Sequence, residues 1–255
     1  MNYIIQNPLS QFTIRDLLIL DIPILNNTHL AITNLTEYLA ISFVIITMLN
    51  SMAQKHGYLF LQYWALGKEC LQDTIFSIVT SQINKFNGQI YYPFILSLFM
   101  FILINNLIGL VPYSFSTTSH FVLTFSISFS IVIGATILGL QKHKLVFFAL
   151  FVPAGSPLAL VPALVLVEFL SYLARNVSLG LRLAANMLSG HMLLNILSGF
   201  TFKIMNSGIL FFILGLLPLS FIIAFSGLEL AIAFIQAQVF VVLSCSYIKD
   251  GLDLH

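Results

Sequence analysis

The sequence has little charge and few cysteines, and both shortages limit what the protein can be. Only 7% of the 255 residues are charged and 59% are apolar, whereas soluble domains carry about a quarter charged residues. The ten basic and nine acidic residues nearly cancel, which argues against nucleic acid as a partner. Cys70 and Cys245 stand alone and indicate neither a disulfide framework nor a zinc site. The composition therefore predicts a polytopic helical membrane protein.

Motifs for nucleotide binding and hydrolysis are also missing. The sequence contains no glycine-rich phosphate loop, no dinucleotide-binding turn, no nucleophile elbow and no zinc-protease pair. We therefore expect no enzymatic activity and no cofactor in this chain alone. The first ten residues, MNYIIQNPLS, resemble neither a secretory signal peptide nor an organelle presequence.

The pattern of apolar runs predicts one membrane domain over residues 1–255, with about five membrane helices and one interfacial amphipathic helix. Residues 1–30 form a mixed N-terminal arm that ends in the turn cluster Asn26-Asn27-Thr28. The remaining segments are a first span at 32–52, an interfacial helix at 58–85 with Trp64 at headgroup level, a helical hairpin at 93–140 and a long hairpin at 160–249.

The last two apolar segments are too long to stand upright in a bilayer. The first runs from about residue 160 to residue 202, about 43 residues or about 64 Å of helix, against a hydrocarbon thickness of about 30 Å. The second, at about 207–248, repeats this length. Two overlong neighbours indicate a strongly tilted helical hairpin.

Basic residues indicate the orientation of the chain. If the N-terminus lies on the outer side of the membrane, Arg15 and Lys203 lie on that side too. Six lysines then fall on the inner side, where cations are enriched. These are Lys55, Lys68, Lys85, Lys142, Lys144 and Lys249.

Ionisable residues inside the long segments are the candidates for function, because each costs about 2.5–3.5 kcal/mol at the centre of a span. Glu168, Arg175 and Arg182 follow one another at seven-residue steps, which keeps them within about 40° on a helix, and Asn186 joins that face. The presence of Arg175 inside the segment has two equally good explanations, an ion pair with Glu168 or a functional role. Arg182 has no acid one turn away, so a functional role is the better explanation for its presence there.

His191 points to the opposite side of the same segment, since it lies nine residues after Arg182. A single buried histidine is more often a packing residue than a proton relay. In the last segment, however, Glu229 and Gln236 form a polar stripe that Tyr247 extends. A histidine and a glutamate that face one another across two helices form a protonatable couple, whereas haem ligation needs a second histidine at matched depth.

Three stretches of the sequence resemble subunit a of rotary F-type ATP synthases, and the opening Pro8-Leu9-Ser10-Gln11-Phe12 is similar to fungal, mitochondrial members. The stretches are ARNVSLGLRLAANMLSGH at 174–191, NLIGLVPYSF at 106–115 and LELAIAFIQA at 228–237. The chain departs from the family pattern at Gln238, where many members carry tyrosine. The similarity covers essentially the whole chain.

The resemblance implies a proton-conducting stator with two half-channels. Arg182 would face a ring of c subunits and pair with the ring carboxylate, separating an outer path past His191 and Glu229 from an inner path past Glu168 and Asp250. Asn186 and Gln236 join these residues in proton translocation.

The resemblance also implies partners and a location. The partners are the c-ring, other membrane-sector and peripheral-stalk subunits, the lipid bilayer and protons as the transported ion. The location is the mitochondrial inner membrane, with the N-terminus in the intermembrane space and the C-terminus in the matrix.

Two other classes of membrane protein stay open on the residues alone. A secondary transporter predicts inverted internal symmetry and broken helices around a midplane site. A redox-complex subunit predicts paired haem histidines or a quinone site.

Overall fold

A computed structural model describes residues 11–22, 28–54, 63–83, 85–112, 114–152 and 160–252. Within them, a two-stranded sheet precedes six α-helices, so the predicted all-helical polytopic class is confirmed. The elements are β1 (Asp16–Ile22), β2 (Thr28–Thr33), α1 (Asn34–Gln54), α2 (Tyr63–Gln82), α3 (Lys85–Gly109), α4 (Phe121–His143), α5 (Val161–Met205) and α6 (Ile209–Leu252). Short 3₁₀ segments, Thr117–Ser119 and Lys144–Phe151, border α4.

Four of the described helices are long and apolar enough to cross a membrane: α3, α4, α5 and α6. The helix α5 has 45 residues and α6 has 44, so each exceeds about 65 Å if straight. The helices α1 and α2 cover most of the segments predicted as the first span and the interfacial helix. Their positions in the membrane stay predictions, and the side chain of Trp64 lies outside the described residues.

Proline does not end the membrane helices. The helix α3 begins at Lys85, eight residues before the start predicted at Pro93, and α6 likewise contains Pro218. An interior proline removes one backbone hydrogen bond and costs about 3 kcal/mol in water. Inside a bilayer, a broken helix would leave more backbone groups unpaired, so continuing the helix on both sides of the proline is favoured.

Hydroxyl side chains in α4 are paired within their own helix. The Oγ atoms of Ser126, Ser128, Ser130 and Thr136 donate to carbonyls three residues earlier, at 2.7–3.2 Å. Because these hydroxyls already have partners, they can face lipid or neighbouring helices at little cost. The serines and threonines of α4 therefore do not mark a polar site.

The N-terminal arm contains an antiparallel hairpin that the sequence did not predict. Strand β1 pairs with β2 from Asp16 opposite Thr33 to Ile22 opposite Thr28. Asn34 fixes the base of the hairpin, since its Nδ2 donates to the Thr13 carbonyl and its Oδ1 accepts the Arg15 N–H, both at 3.2 Å. Of the predicted turn cluster, Asn26 and Asn27 lie outside the described residues.

The chain divides into two compact units, and four of the five boundaries fall inside a helix, while the fifth lies at the start of α4. Unit 1 contains residues 1–49, 101–120 and 184–236, and unit 2 contains residues 50–100, 121–183 and 237–255. The helices α1, α3, α5 and α6 therefore each contribute one part to unit 1 and the other part to unit 2.

Close packing in unit 2 depends on glycine. A methyl group at Gly251 in α6 would lie 2.7 Å from the carbonyl oxygen of Ala135 in α4, and Gly139 lies directly beside it. Small residues let helices approach closely in membranes, where packing replaces the hydrophobic driving force.

Lys142 Nζ donates to the Leu252 carbonyl at 2.8 Å, and a ring nitrogen of His143 lies 2.9 Å from the same oxygen. The ends of α4 and α6 are thereby joined.

Replacing Gly251 with alanine should weaken this packing, because the backbone oxygen of Ala135 cannot move out of the way. Gly251→Ala is expected to lower the amount of chain that survives stepwise heating of solubilised membranes, measured by immunoblot. Gly134→Ala is the matched control, since a methyl group there meets nothing within 4 Å. Equal heat resistance of the two variants would contradict the packing account.

Candidate functional site

The first set of ionisable residues lies in unit 1, around His191 of α5. The His191 side chain is 8% exposed, and its Nε2 atom is buried without a hydrogen-bond partner among the described residues. Nε2 lies 3.8 Å from the place where a methyl group at Gly109 would stand. The absence of a side chain at Gly109 therefore leaves space beside the ring nitrogen.

The Glu229 carboxylate of α6 packs against the backbone of α5 at Gly190, the residue next to His191. A methyl group at Gly190 would collide with Glu229 Oε1 and would lie 2.9 Å from its Cδ atom. Both carboxylate oxygens are buried without a hydrogen-bond partner in the described part of the chain. The structure thus brings Glu229 beside the backbone turn that carries His191.

Two more polar residues surround this position. Asn106 of α3 is fully buried and donates through Nδ2 to the carbonyl of Ala233 at 3.3 Å. Ser116 lies against Gly109, with its Cβ 3.0 Å from a methyl group placed there. Asn106 Oδ1 and Ser116 Oγ are also buried without partners among the described atoms. We call His191, Glu229, Asn106 and Ser116 the His191 cluster.

His191 and Glu229 of this cluster were predicted from the sequence, whereas Asn106 and Ser116 were not. Asn106 could have been identified from the sequence, because the polar pair Asn105-Asn106 lies inside an apolar span. Asn105 Oδ1 accepts a hydrogen bond from Thr117 Oγ1 at 2.9 Å, and this bond joins α3 to the turn before α4. The turn that bears Ser116 is thereby held against α3.

His120 belongs to the same turn and lies outside the four spans. Its ring stacks on Phe115 at a centroid distance of 4.9 Å. Burial lowers the pKa of the His120 imidazole below its ordinary value, which favours a neutral ring near pH 7.

The second set of ionisable residues lies in unit 2, where Arg175 forms an ion pair with Asp250. The distance between Arg175 Nη1 and Asp250 Oδ2 is 3.6 Å. The structure thus pairs Arg175 with an acid of α6 rather than with Glu168. Residues seven apart on a helix are about 10.5 Å apart along its axis, which is too far for a direct ion pair.

Aromatic and amide groups accompany this ion pair. Tyr172 packs edge-on against Tyr247 at a centroid distance of 6.1 Å. The Tyr247 hydroxyl and the Oδ1 atom of Asn176 are buried without partners among the described residues. Unit 2 therefore holds its own group of buried polar atoms, and Tyr247 of the predicted α6 stripe is part of it.

The other predicted site residues have different surroundings. Arg182 is exposed in unit 2, as is Glu168 near the start of α5. Asn186 and Gln236 are half-buried in unit 1. Within the described residues, the side chains of these four form no hydrogen bond or ion pair, and no group of three or more His, Cys, Asp or Glu is suited to hold a metal ion.

Fold and site together define a multi-pass helical membrane protein with ionisable residues placed inside its spans. A family model described as "ATP synthase A chain" matches residues 34–249. Similar proteins named "ATP synthase subunit a" include one from Podospora anserina, 65% identical over 249 residues, which cover 98% of this chain and 94% of that one. The protein from Cochliobolus heterostrophus is 66% identical over 251 residues (98% and 98%), and that from Candida glabrata is 46% identical over 251 residues (98% and 96%).

The chain therefore belongs to the ATP synthase A chain family, as its three sequence stretches predicted. It is a multi-pass membrane subunit of an ATP synthase and works with other subunits of that complex.

Replacing Gly190 with alanine should displace the Glu229 carboxylate, because the new methyl group would occupy its place. Gly190→Ala is therefore expected to lower the rate of ATP synthesis per assembled complex severalfold. Gly199→Ala is the matched control in the same helix, since nothing lies within 4 Å of a methyl group there. Wild-type rates in Gly190→Ala would show that the position of Glu229 does not matter.

Proposed function

We propose that this chain is the proton-conducting stator subunit of a rotary ATP synthase. The observation that carries the proposal is the His191 cluster, in which a histidine, a carboxylate and an amide of membrane helices lie beside a serine of the turn before α4. Several of their polar atoms are buried without a partner among the described residues. Buried polar groups in proteins are normally hydrogen-bonded to protein or ordered water. A cluster of this composition favours a hydrated path along which protons move.

The chemistry of the cluster suits proton transfer. Histidine changes charge near neutral pH, and a carboxylate beside it can accept or release a proton in turn. Ionisable residues are costly inside a membrane and typically mark ion or proton pathways. We therefore assign His191 and Glu229 to the outer path, which opens toward the intermembrane space.

The inner path is assigned to Glu168 and Asp250. The contact between Arg175 and Asp250 places the first part of α5 beside the end of α6, where Lys142 joins α4 to α6. Lysines concentrate near this end, and the positive-inside rule favours the matrix side for it. This orientation places the C-terminus in the matrix and the N-terminus in the intermembrane space of a mitochondrial inner membrane.

Arg182 is assigned as the barrier between the two paths. Its side chain is exposed on a face of α5 that also exposes the small residues Ser171, Ala174 and Ser178. Small residues allow a partner helix to approach closely, which suits a ring of c subunits that presents a carboxylate to the guanidinium. Arginine stays protonated in proteins, so Arg182 blocks direct proton transfer without carrying protons. Asn186 and Gln236 are assigned to proton translocation as well.

In this assignment the chain performs no nucleotide chemistry and is not itself an enzyme. Each proton that crosses the membrane supplies about 2.3 kcal/mol per 100 mV, which the ring transmits as rotation while other membrane-sector and peripheral-stalk subunits hold the stator. The uninterrupted helices α5 and α6 differ from the broken helices that a secondary transporter predicts.

Arg182→Ala tests the proposal. We expect assembled complexes that no longer make ATP but let protons leak across membranes from which the soluble ATPase has been removed. Arg182→Lys should also fail, because an ammonium can lose its proton in a low-dielectric site and cannot bind a carboxylate through two parallel N–H donors. The measurements are ATP synthesis and passive proton uptake, each divided by the amount of assembled complex.

Lys203→Ala is the control, since it removes an exposed cation from the C-terminal end of the same helix, far from Arg182 in its middle. It should retain both coupling and a tight membrane. Normal ATP synthesis in assembled Arg182→Ala complexes would overturn the barrier assignment. Loss of synthesis without a leak would also overturn it, because Arg182 would then take part in transfer without sealing the paths.

A further inference from the structure

Two residues of the N-terminal arm, Gln11 and Phe12, lie directly at the His191 cluster. The rings of Phe12 and His191 meet edge-on, with centroids 6.3 Å apart and planes inclined by 65°. This distance is within the range of favourable aromatic contacts. One side of the imidazole is thus covered by a residue 179 positions earlier in the chain.

Gln11 ties this part of the arm to two other elements. Its Nε2 donates to the Ser114 carbonyl at 3.2 Å, and its Oε1 accepts a hydrogen bond from Asn195 Nδ2 at 2.8 Å. Asn195 is one turn after His191 on the same face of α5. Ser114 lies in the turn that also carries Ser116. Gln11 therefore links this turn to helix α5.

The bridge is specific to the amide group of Gln11. A side chain must donate on one end and accept on the other to satisfy both partners, which an amide does and a carboxylate does not. The base of the arm is held separately by Asn34 through Thr13 and Arg15. Chain ends are poorly ordered unless they are tied down, and here the arm is fixed on both sides of Phe12.

We infer that Gln11 and Phe12 are positioning residues for the proton path, an inference that rests on the proposed function. Phe12 holds the His191 ring in one orientation and closes one side of the path, while Gln11 holds Phe12 in place. Gly109 has no side chain that could cover Nε2, which lies 3.8 Å from the place of a methyl group there. In this inference, protons and water reach the imidazole past Gly109 and not past the arm.

The first test measures passive proton uptake per assembled complex in membranes without the soluble ATPase. Gln11→Ala and Phe12→Ala should lower uptake severalfold, because the imidazole loses its fixed orientation. Phe12→Tyr retains an aromatic ring and should restore most of the uptake. Ile14→Ala is the matched control on the same arm, since that side chain is 55% exposed, and it should behave as the wild type.

The second test measures access to position 191. In the His191→Cys variant, a membrane-impermeant maleimide should label position 191 more rapidly when Phe12→Ala is also present, whereas Ile14→Ala should leave the rate unchanged. A chain that carries only Cys70 and Cys245 gives the background. A faster rate cannot come from lost assembly, because only assembled complexes are isolated for the measurement.

The outcomes separate this inference from the proposed function. Wild-type uptake and unchanged labelling in the Gln11 and Phe12 variants, with reduced uptake in His191→Ala, would overturn the positioning role and leave the proton path intact. Wild-type uptake in His191→Ala as well would overturn the proposed function. Lower uptake in the arm variants, with rescue by Phe12→Tyr and faster labelling, would support the positioning role.

Discussion

The cost of an unpaired polar atom inside a bilayer is the constraint on which this structure depends. The backbone meets it by forming helices that continue through Pro93 and Pro218. The hydroxyl groups of α4 meet it by donating to carbonyls of their own helix. Against this background, the atoms of His191 and Glu229 that are buried without partners in the described part of the chain are exceptions that a purely structural role does not explain.

Glycine determines where these exceptions can lie. The Glu229 carboxylate occupies space that any side chain at position 190 would fill, and His191 Nε2 lies beside the bare backbone of Gly109. The positions of Glu229 and His191 therefore both depend on a glycine without a side chain on a neighbouring helix. At Gly199 an added methyl group would meet nothing within 4 Å, so glycine has this function only at particular sites.

The sequence predicted the features that depend on composition and length. The helical membrane class follows from 59% apolar residues. The unusual length of α5 and α6 follows from two predominantly apolar runs that are about twice as long as one span needs. Glu229 and His191 could be singled out because ionisable residues in such runs are rare. These signals are local, so they can be read without knowing which segments meet.

The features that the sequence did not predict depend on contacts between distant segments. Arg175 pairs with Asp250 of another helix, and Phe12 meets His191 across most of the chain. The hairpin of β1 and β2 was missed because short strands in a mixed arm have weak periodicity. Periodicity identifies the face of a helix but not the partner of that face.

Exchanging the two protonatable residues of the His191 cluster tests the central claim most directly. The double variant with His191→Glu and Glu229→His keeps one acid and one imidazole beside Gly190, whereas His191→Ala with Glu229→Ala removes both. Measured as proton-driven ATP synthesis per assembled complex, the exchange should retain a clear part of the wild-type rate and the double alanine variant should fall to background. Wild-type synthesis in the double alanine variant would contradict the account.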